Sequence, residues 1–84
     1  MTNRKIKKHL FGRHFEDGLL FRVFVTEEFA PRFFVRVVRP KTGKVVREEL
    51  LPPLLYGAHG GIMTADQLIL EERLAVILRQ LSAN

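Results

Sequence analysis

Arginines and phenylalanines are interleaved with valines in the segment RFFVRVVR, residues 32–39, and the same types recur in GLLFRVFVT, residues 18–26. A guanidinium group pairs with phosphate or carboxylate oxygens, and an aromatic ring offers a face on which a nucleic-acid base stacks. If these segments and residues 44–51 are strands of one sheet, these side chains lie on one face, because successive side chains of a strand point to opposite faces. We call it the Arg/Phe face, and its predicted members are Arg22, Phe24, Phe34, Arg36 and Arg47.

Two other interpretations of the Arg/Phe face stay open. The arginine stems could shield half-buried phenylalanines, with Glu27, Glu28 and Glu49 near enough to pair with the guanidinium groups. The face could instead be covered by the N-terminal segment or by a second copy of the chain. The glycine and aromatic spacing of the common RNA-recognition signature is absent from the sequence. The face is therefore a candidate site for a nucleic acid or for a protein.

The net positive charge lies in the N-terminal segment. The chain carries a formal charge of +5; residues 1–15 hold five basic residues and no acid, whereas the rest holds nine basic and nine acidic residues. A basic arm on a near-neutral body is typical of contact with phosphates or with an acidic protein surface, and a solvated tail that aids solubility is the alternative. The basic residues of the arm are Arg4, Lys5, Lys7, Lys8 and Arg13.

The remaining residue types argue against catalysis and metal binding. The chain has no cysteine, and its one serine, Ser82, follows the last leucine of a predicted helix, so no nucleophile can be placed beside a histidine and an acid. His9 and His14 are five residues apart and would face opposite sides of a strand. Most glutamates form adjacent pairs, whose side chains diverge on a strand or a helix. We expect a protein that is not an enzyme and has no cofactor or metal ion.

The glycine-rich stretch YGAHGGIMT, residues 56–64, leads directly into the predicted helix, and a helix N-terminus can bind an anion. No lysine follows the glycines, as it would in a phosphate-binding loop, and the carboxylate of Asp66 would repel a phosphate. We interpret the stretch as a connection.

Three strands follow from segments rich in β-branched and aromatic residues, 18–26, 32–39 and 44–51. The turn RPKTGK, residues 39–44, predicts a hairpin between the last two. The turn pairs Arg39 with Lys44. Counting six residues back along one strand and six forward along the other then places Leu50 opposite Phe33. The predicted buried face then carries Leu19, Phe21, Val23, Val25, Phe33, Val35, Val37, Val46 and Leu50.

The N-terminal segment is open to two interpretations. Asp17 and Gly18 are a strong two-residue turn signal, which favours a hairpin and a fourth strand over about residues 6–15. A short basic helix that stops at Gly12 is the alternative. Residues 1–15 are therefore expected to be partly disordered or to form an edge strand.

A helix is predicted from about Ala65 to Leu81, with Thr64 as its N-cap. Apolar residues at helical spacing form a stripe that must meet the core. The stripe consists of Leu70, Leu74, Ile77, Leu78 and Leu81.

These patterns predict an α+β fold: an antiparallel three- or four-stranded β-meander with one C-terminal helix packed on one face. With 84 residues, of which 46% are hydrophobic, we expect one domain over 1–84. No leader or membrane-spanning run is apparent, so a cytoplasmic location is expected. We expect a non-catalytic binding protein that contacts nucleic acid through the arm and the Arg/Phe face; the alternative is a protein-interaction module or homodimer that uses the same face or a sheet edge.

Overall fold

The computed structural model of the chain describes residues 6–55 and 64–82. Over these residues four antiparallel strands form one sheet, and their order in space is their order in the sequence. The elements are β1 (Lys8–Glu16), β2 (Leu19–Thr26), β3 (Arg32–Arg39), β4 (Lys44–Pro53) and α1 (Thr64–Ser82). The predicted α+β class and antiparallel meander are confirmed, and the N-terminal segment forms the fourth strand rather than a helix.

The chain divides into two compact units, which are described separately. The first holds the sheet up to Pro53, and the second begins at Leu54 and holds α1. The packing of α1 on one face of the sheet and the single-domain boundary of 1–84 therefore stay predictions.

Two tight turns lie at the same end of the sheet and set the pairing of the strands. Asp17 and Gly18 have φ angles of 53° and 76°, the left-handed pair that an Asp-Gly hairpin turn requires. Gly43 has a φ angle of 74°, and its N–H donates a hydrogen bond of 2.8 Å to the carbonyl oxygen of Arg39. Because glycine adopts such angles without steric cost, both turns follow from local sequence.

The buried face of the sheet confirms the predicted alternation in β2 and β3. Val25 pairs with Phe33 and Val23 pairs with Val35, as a period of two requires. The buried apolar residues of the sheet are Leu19, Phe21, Val23, Val25, Phe33, Val35, Val37 and Leu51. All but one of them lie on β2 and β3, so these two strands supply most of the buried surface of the sheet.

Strand β4 departs from the predicted register because it contains a β-bulge at Val46. Val38 pairs with Val45, but Val37 pairs with Arg47, so Val46 is the extra residue. The predicted pairing of Val46 with Val37 is therefore wrong, and Val46 is half-buried. A one-residue shift moves the side chains that follow it, here Glu48 to Leu51, to the other face of the sheet; a second shift in the pairing lies between Phe34 and Arg32.

The residues of β4 beyond the bulge illustrate this shift. Leu51 is buried, with 6% exposure, whereas Leu50 is 39% exposed. Leu50 was predicted to lie in the core opposite Phe33, but it pairs with Phe34 on the Arg/Phe face. Arg47 was predicted on the Arg/Phe face, but it lies on the opposite face.

The charges of β3 and β4 explain the bulge. Without it, Arg36 would lie opposite Arg47, and like charges in directly opposed positions destabilise a strand pair. With it, Arg36 lies opposite Glu48, and its Nε donates a hydrogen bond of 2.6 Å to Glu48 Oε2. On the other face, Arg47 Nη1 lies 3.5 Å from Glu49 Oε1. Each glutamate of β4 therefore has a cation on its own face.

Helix α1 begins at Thr64, one residue before the predicted start. The predicted apolar stripe is its least exposed side, with Leu70 and Ile77 buried and the other three leucines of the stripe half-buried. The buried carboxylate of Asp66 accepts a hydrogen bond of 2.9 Å from the N–H of Leu55, which ties the preceding chain to the first turn.

Within the described part of the chain, no helix combines the length and apolar character that a membrane crossing requires.

Truncation of two adjacent leucines tests the bulged register. Leu51→Ala removes a buried side chain and should lower the free energy of unfolding by roughly 2–5 kcal/mol. Leu50→Ala removes a partly exposed side chain and should cost about half as much or less. Urea unfolding followed by circular dichroism measures both values. A larger loss for Leu50→Ala than for Leu51→Ala would contradict the bulge and support the register predicted from the sequence.

Candidate binding face

The Arg/Phe face of the sheet carries three rows of side chains that run across the four strands. Cross-strand partners share a face, so the strand pairing defines each row. The arginine row consists of Arg13, Arg22, Arg36 and, at its end, Glu48. The phenylalanine row consists of Leu10, Phe24, Phe34 and Leu50. The turn-end row, beside the hairpin turns, consists of Phe15, Leu20, Val38 and Val45.

Arg36 is held on the face by a carboxylate and two aromatic rings. Besides its bond to Glu48, its guanidinium carbon lies 5.6 Å and 5.4 Å from the ring centroids of Phe24 and Phe34. Lys8 Nζ lies 5.8 Å and 5.1 Å from the same two centroids. Each such cation–π contact contributes about 0.5–1 kcal/mol at exposed sites. Both rings therefore already contact cations of their own chain, which compete with a base for the ring faces.

Arg13 and Arg22 are exposed and lie directly opposite each other on β1 and β2. Neither makes an ion pair with any residue that the structure describes. Together with Arg36, they place three guanidinium groups on neighbouring strands, with Glu48 as the carboxylate of the row. Opposed like charges repel, and an anion bound between them relieves that repulsion. The chemistry of the row therefore suits phosphate or carboxylate groups.

The rows on either side of the arginine row expose large apolar side chains. Phe15 is 64% exposed, Leu10 50%, Val45 45% and Leu50 39%. Exposed apolar patches of this kind, rimmed by polar groups, are typical of interaction surfaces. Aromatic residues and arginine are also the types that are enriched in the buried centre of protein interfaces.

Arg32 belongs to a separate cluster at the β2–β3 connection. Its Nε and Nη2 donate hydrogen bonds of 2.9 Å and 2.8 Å to the two carboxylate oxygens of Glu28. Its backbone N–H donates to Oγ1 of the buried Thr26, and the Thr26 hydroxyl donates to Glu28. The hydrogen bonds from Arg32 and Thr26 hold the pKa of the Glu28 carboxyl below its ordinary value. This guanidinium group closes the connection and is already neutralised.

The structure brings together four of the five residues predicted for the Arg/Phe face, namely Arg22, Phe24, Phe34 and Arg36. The fifth, Arg47, is excluded by the bulge in β4. The N-terminal arm adds two members, because Lys8 lies over the phenylalanine rings and Arg13 joins the arginine row.

The other predicted residues of the arm contribute less to this geometry. Lys7 is exposed, and its carbonyl oxygen accepts a hydrogen bond of 2.8 Å from the N–H of Glu27. Arg4 and Lys5 lie outside the described residues, as does the glycine-rich connection over 56–63.

The histidines of β1 pair with separate carboxylates. His14 Nε2 lies 2.7 Å from Glu16 Oε1, and His9 Nδ1 lies 3.6 Å from Glu27 Oε2. Over the described residues, no group of three or more histidine, aspartate or glutamate side chains is arranged to hold a metal ion.

Arg13 is a member of the face that could have been assigned from the sequence. The Asp17-Gly18 turn sets Glu16 opposite Leu19, and counting back along both strands brings Arg13 opposite Arg22. Leu10 could not be assigned in this way, because a bulge between Leu10 and Gly12 shifts the count by one.

Comparison with known proteins identifies no relative of this chain. No protein-family model, no curated protein and no solved structure matches it. A function must therefore be inferred from the chemistry of the Arg/Phe face.

The Glu28 cluster should make stability depend on pH in the acid range. Because the folded-state pKa of Glu28 is lowered, its contribution is complete above the unfolded pKa of about 4.3 and is lost as the pH falls through the folded value. Glu28→Gln should therefore show a smaller drop in Tm than the wild type between neutral pH and about pH 3. Glu72→Gln, at an exposed site of α1, is the control and should follow the wild type. Identical pH profiles for Glu28→Gln and the wild type would contradict the assignment.

Proposed function

We propose that this chain is a non-catalytic binding protein whose Arg/Phe face docks on an acidic protein partner. The observation that carries the proposal is the pairing of Arg13 with Arg22, two exposed guanidinium groups without an ion-pair partner among the described residues. Carboxylates accept paired hydrogen bonds from the guanidinium fork, so acidic side chains fit this row. An acidic partner also removes the repulsion between the two arginines.

The apolar rows favour a protein over a nucleic acid as the partner. A phosphate backbone offers little apolar surface to cover exposed side chains such as Phe15, whereas a protein interface buries them. The faces of the Phe24 and Phe34 rings already bear cations of the chain, which leaves less room for base stacking. A nucleic acid, which the sequence favours, is therefore the second candidate, supported by the same unpaired arginines.

A second copy of the chain is disfavoured as the partner of this face. In a two-fold symmetric contact of this face with itself, the arginine row lies against an identical arginine row. Each copy brings three arginines and one glutamate to the contact. Charge of the same sign then faces itself across the interface, which costs free energy.

The basic arm extends the positive field of the face. Lys8 and Arg13 lie on the face itself, and Arg4 and Lys5 precede them in the sequence. Such a field speeds the encounter with an acidic partner and makes the association rate depend on salt. A cytoplasmic location and the lack of catalytic activity are part of the proposal and rest on the sequence.

Charge reversal in the arginine row tests this function. Arg22→Glu should weaken the binding of an acidic peptide that carries two phenylalanines by about tenfold or more, because repulsion replaces attraction. Arg39→Glu makes the same change in net charge at an exposed site outside the row, so it should weaken binding by about threefold at most. Fluorescence anisotropy with labelled peptide, at low and at physiological salt, measures both dissociation constants.

The outcomes of this test separate the classes of partner. Equal losses for Arg22→Glu and Arg39→Glu would indicate diffuse attraction to the whole chain and overturn the proposal. A single-stranded oligonucleotide of the same net charge that binds more tightly than the peptide, and is equally sensitive to Arg22→Glu, would assign the face to nucleic acid. Sedimentation at rising protein concentration shows whether the chain instead pairs with itself.

A further inference from the structure

A cleft of about 460 Å³ opens on the Arg/Phe face beside the phenylalanine row. Three apolar and three charged residues form most of its lining: Ile6, Phe34, Leu50, Lys8, Arg36 and Glu48. This volume is within the range of pockets that hold small ligands, and it is ample for one phenylalanine or leucine side chain. Thr26 also lines the cleft, but its hydroxyl group is already hydrogen-bonded to Glu28.

The charges around the cleft are not all neutralised. Arg36 and Glu48 pair at 2.6 Å and together form one wall. Lys8 makes no ion pair among the described residues, and its ammonium group lies 5.1 Å from the centroid of Phe34. Beyond the wall, Arg22 is the neighbour of Arg36 in the arginine row. Among the described residues, the cleft therefore has one cation without an ion pair in its lining, Lys8, and a second, Arg22, on the next strand beside Arg36.

We propose that the cleft is the anchor site of the Arg/Phe face and takes one bulky apolar side chain, phenylalanine or leucine, flanked by acidic residues in the partner protein. This inference rests on the proposed function and makes the partner specific. The apolar side chain covers Phe34 and Leu50, and the flanking carboxylates meet Lys8 on one side and Arg22 on the other. Anchors of this kind carry much of the energy of an interface, because they are desolvated while the surrounding contacts exclude water.

A side chain of a protein suits the cleft better than a free small molecule does. The cleft is open to the face. The exposed Leu10 lies in the same row as the lining residues Phe34 and Leu50, and the exposed Phe15 lies in the turn-end row beyond the arginine row. An occupant that fills the cleft alone leaves those apolar side chains in water, whereas a partner segment anchored there also covers them. Lys8 in the lining and Arg22 beside Arg36 select acidic neighbours for the anchor residue.

The test combines two peptides with two variants. Both peptides are runs of glutamates, and they differ in one central residue, which is phenylalanine or alanine. Leu50→Trp fills the cleft, whereas Val45→Trp places the same side chain on the same strand and face but outside the cleft. The wild-type chain should bind the phenylalanine peptide about tenfold more tightly than the alanine peptide. Leu50→Trp should abolish this preference, and Val45→Trp should retain it.

The results distinguish failure of the anchor from failure of the docking face. Equal affinity of the wild type for the two peptides, or equal behaviour of the two tryptophan variants, overturns the anchor. If both peptides then bind Arg22→Glu more weakly than the wild type, the Arg/Phe face is still supported as a docking surface, but without the anchor site. If Arg22→Glu changes the affinity of neither peptide, the proposed function itself fails. Amide NMR spectra verify that each variant is folded. Chemical-shift changes at Ile6 and Leu50 that occur with the phenylalanine peptide, and not with the alanine peptide, place the phenylalanine side chain in the cleft.

Discussion

The ion pair between Arg36 and Glu48 is the contact on which the arrangement of both sheet faces depends. It joins β3 to β4 at 2.6 Å and can form because a bulge shifts the pairing of β4. The same shift brings Leu51 to the buried face and leaves Leu50 exposed. An exposed ion pair contributes about 1 kcal/mol at most, so its effect lies in the choice between two registers. In the other register, Arg36 meets Arg47, which removes an attraction and adds a repulsion.

The parts of the fold that could be predicted from the sequence are those with local signals. Both hairpin turns need a left-handed backbone at glycine, and the alternation of β2 and β3 carries the pairing of Val25 with Phe33 along both strands. The register of β4 could not be predicted, because a period of two contains no sign of an inserted residue, and Leu50 and Leu51 suit a core equally well. The choice between the two registers depends on which charges of β3 and β4 lie opposite each other. The apolar pattern of a single strand does not contain this information.

The members of the Arg/Phe face could be predicted from the sequence only where local signals fix the strand pairing. Its members on β2 and β3 follow from alternation, whereas Leu10 on β1 and Glu48 and Leu50 on β4 depend on two bulges. Arg47 leaves the face because of one bulge, and Arg13 joins it because the first hairpin has a two-residue turn. Lys8 reaches the two rings through a long, flexible side chain, and no spacing rule encodes such a contact. The arginine row therefore runs from Arg13 through Arg22 to Arg36, whereas the predicted pairing gives a row of Arg22, Arg36 and Arg47.

The arginines of the sheet differ in what they already contact, and this difference decides which of them can recognise a partner. Arg32 and Arg36 donate to glutamates at 2.6–2.9 Å, so a partner would have to break an existing pair to use their charge. Arg13 and Arg22 carry no such penalty, so the proposed partner would place its carboxylates there first. Exposed ion pairs contribute about 1 kcal/mol or less each, whereas full burial of a side chain such as Phe15 contributes about 1.5–3 kcal/mol. In the proposed complex, charge therefore selects the partner, and burial of the apolar rows on either side of the arginine row supplies most of the affinity.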